Sequence, residues 1–269
     1  MTSQRLALGL SRPALPMLAG CAFLFGATTL TQTAHAETAP VVVAAASLRY
    51  ALDDIATAFE QQTGRQVRLT YGATRSLTHQ IEKGAPYELL LAADTESVNR
   101  LAEKSLTDGE AYIFARGRIV LVAAGGSPVS VDSELTGLAD ALGLGEVDYV
   151  AVANPEVAPY GRAAQEALQK AGLWESLSKR LVIGENVGQA AQFATTGAAQ
   201  AGIIARSLAV SSKVGPRVSV ALISEDWHQP INHSMALLKG AGKTTRAFAA
   251  FLKSEPARAI LERNGLSAP

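Results

Sequence analysis

The stretch VVVAAASLRYALDDIATAF, residues 41–59, decides the fold class. Residues 41–46 are all apolar and begin with three β-branched side chains, which reads as a buried strand. Ser47 then stands as an N-cap, and Leu48, Leu52, Ile55 and Phe59 recur at helical spacing until Gly64 stops the helix. The pattern repeats with a strand over 66–71, a short helix from about 76 to 83 stopped by Gly84, a strand over 88–92 and a helix running to about Lys104. Strands alternating with helices predict an α/β fold with parallel sheets.

After Gly117 the pattern restarts: strands at 118–123, 149–153, 181–183 and 201–205, with helices at 161–171 and 187–196 ended by Gly172 and Gly197. Two α/β lobes fit this better than one, each a mainly parallel sheet flanked by helices. A last strand, about 233–238, and a C-terminal helix over 245–252 return the chain to the first lobe. The expected division is residues 37–117 plus 233–269 for lobe I and 118–232 for lobe II. The two crossings then form a hinge with a ligand cleft between the lobes.

Residues 1–36 differ from the rest. Arg5 and Arg12 are their only charges, an apolar run follows from Pro13 to Leu30, and Ala34-His35-Ala36 closes it, which reads as a secretory signal with its cleavage site and places the protein in the periplasm. A membrane anchor fits less well, because Pro13 and Pro16 interrupt the run and no basic stop-transfer cluster ends it. Leu18-Ala19-Gly20-Cys21 also looks like a lipobox, but cleavage there would leave the apolar stretch 22–30 at the start of a water-soluble chain. Cys21 is the only cysteine, so cleavage after Ala36 leaves no disulfide, thiol nucleophile or cysteine metal site.

Across the 269 residues, 24 Lys and Arg balance 24 Asp and Glu and are interleaved along the chain, so no basic stripe points to nucleic acid. Loss of Arg5 and Arg12 leaves 22 basic against 24 acidic residues, a net charge of −2. A bound anion must therefore be captured by local groups.

Those groups sit in the loops. Ser47, Gly72-Ala73-Thr74, the loop from Asn154 to Gly161, and Glu185-Asn186-Val187 each fall between a strand and the following helix, where open α/β sheets bind ligands. Helix starts offer unpaired backbone N–H groups at the positive end of a dipole, and several aimed at one cleft can hold a small oxyanion without a metal. Ser47 and Thr74 add hydroxyl donors, unless they serve only as helix caps.

Enzyme motifs are missing: there is no G-x-S-x-G elbow, no H-E-x-x-H and no complete G-x-G-x-x-G after a strand. His79, His228 and His233 are too scattered for a metal site, and surface or hinge packing is their expected role. Gly240-Ala241-Gly242-Lys243-Thr244 resembles the end of a Walker A loop, but Leu237 occupies the position of the motif's first glycine; a flexible turn with a capping threonine is expected. Asp53 with Asp54 and Glu225 with Asp226 read as solvated or turn residues, and Trp174 and Trp227 as packing.

Taken together, Val42-Val43-Ala44-Ala45-Ala46-Ser47-Leu48, Tyr71-Gly72-Ala73-Thr74, Gln80-Ile81-Glu82-Lys83-Gly84-Ala85-Pro86 and Leu91-Ala92-Ala93-Asp94 resemble the periplasmic molybdate-binding proteins of molybdate ABC importers. The likeness continues through Ala153-Asn154-Pro155-Glu156-Val157-Ala158-Pro159-Tyr160-Gly161, Glu185-Asn186-Val187 and residues 248–256 of the C-terminal helix, covering 40–269. It implies a class II periplasmic binding-protein fold whose lobes close on tetrahedral molybdate or tungstate and deliver it to an ABC permease in the inner membrane. It also implies a monomer that needs no cofactor and holds molybdenum only as the oxyanion. Carried over by position, the ligand donors are the hydroxyls of Ser47 and Thr74, Tyr160, and the Val187 N–H, with Asn186 and Arg75 as possible additions.

Two positions depart from the pattern. A tyrosine that follows the Gly-Ile-Val strand in some members corresponds to Ala205, and Tyr160 stands where those members carry alanine, so its hydroxyl is expected to take over part of the missing role. Arg75 replaces a small residue and either makes a charge-assisted contact at the cleft mouth or points to solvent. Competing readings are a receptor for another anion such as sulfate or a phosphonate, and an α/β hydrolase or transferase, which lacks a nucleophile, base and metal set. A sensor role is disfavoured because no output domain follows the lobes.

Overall fold

The computed structural model describes residues 39–211 and 218–269. The proposed signal and Cys21 lie outside them. The first part of the chain runs β1 (Val41–Ala45), α1 (Arg49–Thr63), β2 (Arg68–Gly72), α2 (Thr74–Glu82), β3 (Leu89–Ala92), α3 (Glu96–Glu103) and β4 (Tyr112–Gly117). The second runs β5 (Ile119–Ala124), α4 (Thr136–Gly143), β6 (Val150–Ala153), α5 (Pro159–Lys170), α6 (Trp174–Leu177), β7 (Leu181–Gly184), α7 (Val187–Thr195), β8 (Ala201–Ala205), α8 (Arg206–Ala209) and β9 (Val218–Leu222). The chain ends with β10 (Ile231–Leu237), α9 (Lys243–Leu252) and α10 (Glu255–Arg263).

Two five-stranded sheets result, ordered β2-β1-β3-β10-β4 and β7-β6-β8-β5-β9. Both are mixed but mainly parallel, as expected: in each sheet four of the five strands run the same way and one, β10 or β5, is reversed. β1 is parallel to β2 and β3, and β6 to β7 and β8, whereas β10 is antiparallel to β3 and β4, and β5 to β8 and β9. Strands joined by a crossover helix must run parallel, and those are the strands the repeating pattern revealed. The antiparallel pairs all involve β5 or β10, through which the chain enters one sheet from the other. It passes from the first sheet to the second between Gly117 and Ile119 and returns between Leu222 and Ile231.

The apolar stripe of α1 packs as its spacing predicts: Leu52, Ile55 and Phe59 are fully buried, each worth about 1.5–3 kcal/mol by area removed from water. Phe59 meets the rings of Phe248 and Phe251 at 5.2 and 5.7 Å. The helix stops at Gly64, whose φ of 67° is the left-handed conformation that glycine adopts without strain. Asp53, expected to be solvated, accepts the Tyr71 hydroxyl at 2.6 Å and ties α1 to β2. Trp174 and Trp227 pack against the core as expected.

The C-terminal helix expected over 245–252 is α9, and the stretch 248–256 runs on from it into a second helix. α9 ends at Leu252, and α10 starts after Ser254 with Pro256 in its first turn, where a missing N–H costs nothing but where an incoming helix could not continue. The Walker-like turn is filled from within: Glu88 Oε2 accepts the Gly242 N–H at 2.7 Å and the Thr245 hydroxyl. A carboxylate of the chain itself therefore occupies the start of α9.

Candidate functional site

Ser47 is not the N-cap of α1. It lies inside a 3-10 turn, Ala46–Leu48, and Leu48 holds the cap position with no side-chain hydrogen bond. Freed from capping, the Ser47 hydroxyl points between the sheets, with Oγ 3.4 Å from Nε2 of His233 on β10. The Tyr160 hydroxyl, in the first turn of α5, lies 3.3 Å from the same nitrogen. Ser207 of α8 donates to the Ser47 carbonyl at 2.7 Å, so a buried polar cluster joins both lobes.

Thr74 begins α2 rather than preceding it. Its Oγ1 accepts the Ala93 N–H at 3.0 Å, which positions the oxygen and leaves the hydroxyl proton to be donated elsewhere. The next residue crosses the cleft: the Arg75 N–H donates to the Val157 carbonyl at 3.0 Å. On the far side, Asn186 caps α7, its Oδ1 accepting the N–H groups of Gly188 (2.9 Å) and Gln189 (3.2 Å). That leaves the Val187 N–H outside the cap. A Cβ placed on Gly188 would lie 3.4 Å from the Ala46 Cβ, so the start of α7 abuts the turn that carries Ser47.

Ser47, Thr74, Tyr160 and Val187 are 1–3 % exposed. At that burial a ligand can reach them only if the lobes part. Burial holds the Tyr160 phenol well above its ordinary range, with the Ser47 and Ser207 hydroxyls pulling weakly the other way, so it remains a protonated donor. The same burial pushes the His233 imidazole down to about 3, so it is neutral at any ordinary pH. The site thus offers hydroxyls, a backbone N–H and an uncharged ring, which suits a dianion that brings its own charge.

The cations stand outside. Arg75 donates to Glu96 at 2.9 Å and to the Glu156 carbonyl at 3.2 Å, and Arg162 of α5 meets Glu96 at 3.2 Å and Asp94 at 3.5 Å. The Arg75 bond to the Glu156 carbonyl and the two Arg162 ion pairs cross between the lobes and clasp them at one rim of the cleft, while Arg75–Glu96 lies within the first lobe. Arg162 first, and Arg75 second, hold the Glu96 carboxyl below its ordinary value against partial burial. A cavity of about 200 Å³ opens beside the clasp, lined by Asp94, Arg162, Glu166 and Asn232 among others.

A family model described as bacterial extracellular solute-binding protein matches residues 40–267. The chain belongs to that family. As a solute-binding protein it is a carrier and not an enzyme. It is 33% identical over 260 residues to the molybdate-binding protein ModA of Escherichia coli (strain K12), covering 96% of this chain and 99% of that one. ModA of Rhodobacter capsulatus is 32% identical over 84% of this chain and 86% of its own. Among solved structures, the periplasmic molybdate-binding protein of Azotobacter vinelandii superposes with a TM-score of 0.77 at 27% identity, covering 86% of this chain and 99% of that one.

In this solute-binding protein the structure brings Ser47 and Tyr160 around one point and places Thr74 and Val187 at the starts of α2 and α7, while the side chain of Asn186 is spent on capping and that of Arg75 on the clasp. Two residues escaped the sequence reading. His233, expected to pack at a surface or hinge, is fully buried at the centre of the cluster; the clue was a polar run, Asn232-His233-Ser234, inside an otherwise apolar strand. Ser207 carried no signal, since a serine after a strand is commonplace. Among the described residues no three His, Cys, Asp or Glu side chains gather as a metal site.

Proposed function

We propose that this protein captures molybdate or tungstate between its lobes and delivers it to the permease of an ABC importer in the inner membrane. The observation that carries this reading is the convergence of uncharged donors from both lobes on one sealed, buried point. The hydroxyls of Ser47, Thr74 and Tyr160 and the Val187 N–H are the proposed ligand contacts, with molybdenum present only as the oxyanion and no cofactor. Residues 1–36 direct export to the periplasm, where the chain acts as a monomer without nucleic-acid partners. The lobes divide as 37–117 plus 233–269 and 118–232, and the crossings between them form the hinge. Anion contacts made from both sides favour the closed state, and only that state presents the docking face to the permease.

The curated relatives named for molybdate support the ligand class, and the position of Tyr160 beside Ser47 supports its role in place of the phenol absent at Ala205. Isothermal titration calorimetry with molybdate, tungstate and sulfate tests the reading. One-to-one binding of the first two with silence for sulfate is expected. Sulfate binding in preference, or no binding, overturns it.

A further inference from the structure

We propose that His233 is a direct ligand contact, its Nε2–H donating to the bound oxyanion beside the Ser47 and Tyr160 hydroxyls. This rests on the oxyanion reading above and adds a residue to the site. Three polar atoms meet at one buried spot: Nε2 of His233, Oγ of Ser47 at 3.4 Å and the Tyr160 hydroxyl at 3.3 Å. Both separations exceed the usual range of a good hydrogen bond, about 2.7–3.2 Å, so neither hydroxyl holds Nε2 firmly. All three can donate to one shared acceptor placed among them.

The position of the ring proton follows from the other nitrogen. Nδ1 of His233 is buried without a hydrogen-bond partner. A proton there would bury an unsatisfied N–H, whereas a bare lone pair is the cheaper orphan. The favoured tautomer therefore carries its proton on Nε2, toward Ser47 and Tyr160. The ring is held in that orientation between Phe114 and Tyr160, at centroid distances of 6.1 and 5.9 Å. Gly117 keeps room for both tips: a Cβ there would stand 2.0 Å from the Tyr160 oxygen and 3.4 Å from Nε2.

The test is calorimetry of the wild-type protein and three variants with molybdate, each variant checked for a cooperative thermal transition. His233→Gln places an amide N–H near Nε2, His233→Asn places one near Nδ1, and His233→Leu has no donor. The expected result is that His233→Gln stays within about fivefold of wild type while the Asn and Leu variants weaken about tenfold or more, as loss of a hydrogen bond to a charged group predicts. Equal binding by all four proteins, or weakening of Gln as severe as that of Leu, overturns the proposal. Silence of the wild type toward molybdate and tungstate overturns the functional reading instead. Nitrogen NMR of the labelled wild-type ring gives an answer independent of folding in the variants. A protonated Nε2 whose resonance moves on adding molybdate is expected, and a proton on Nδ1 or an unmoved Nε2 signal counts against it.

Discussion

The phenolic oxygen of Tyr160, on α5, lies 3.3 Å from Nε2 of His233, on β10, and both side chains are buried. This contact joins the two sheets at the proposed ligand point, and Gly117 is its floor. Gly117→Ala would put a Cβ 2.0 Å from the Tyr160 oxygen, so the phenol must move. Molybdate affinity is expected to fall about tenfold or more, consistent with loss of a hydrogen bond to a charged acceptor. Calorimetry on the variant decides it, and unchanged affinity would show that Tyr160 does not touch the ligand.

Gly161 is held by the backbone behind it. A Cβ at this position would meet the Ala153 carbonyl oxygen at 2.3 Å, so even alanine must push α5 away from the end of β6. Gly161→Ala is expected to destabilise by about 1–3 kcal/mol, the usual range for overpacking. A denaturant melt with an unshifted midpoint would contradict it.

The clasp formed by Arg75, Arg162, Asp94 and Glu96 acts on closure. Exposed ion pairs contribute about 0–1 kcal/mol, so Arg162→Ala should weaken equilibrium binding by no more than about fivefold. Because the Arg162 ion pairs join residues of different lobes, the loss is expected mainly in the release rate. Stopped-flow displacement, run at low and high salt, checks both; a release rate equal to wild type at low salt would remove the clasp from the mechanism.

Stability of the closed protein should depend on pH through His233. The folded imidazole stays neutral down to about 3, while the unfolded one binds a proton below about 6.5. Below that pH the unfolded state holds more protons, so stability is full above about 6.5 and declines as pH falls toward 3, by at most about 1.4 kcal/mol per pH unit. The groups against the ring, namely Tyr160, Ser47, Phe114 and Gly117, carry no charge that would offset this. Melting curves between pH 7.5 and 5 should therefore be flatter for His233→Gln than for wild type, and identical slopes would refute the assignment.

The parallel halves of both sheets were legible in the sequence because crossover helices impose a local repeat: a β-branched run, a helical stripe such as Leu52, Ile55 and Phe59, and a stop such as Gly64. The loops that carry Ser47, Thr74, Tyr160 and Val187 follow from that repeat, since each lies between a strand and its helix. β4 and β9 were not legible, because their partners, β10 and β5, lie far along the chain or are set by the passage between sheets. Pairing of that kind leaves no periodic mark.

Residue types and their order determined the two lobes and the candidate donors. Only the tertiary structure decided which donors meet. Ser47 could have capped α1, and the 3-10 turn at Ala46–Leu48 instead turns its hydroxyl toward β10. Arg75 could have reached the ligand, but Glu96 and the Glu156 carbonyl hold it at the rim. His233 looked like a packing residue until β10, returning from the other lobe, carried it 186 residues along the chain from Ser47 to within 3.4 Å of it. A contact between groups so far apart in sequence depends on closing the whole chain around the cleft, and no local preference encodes it.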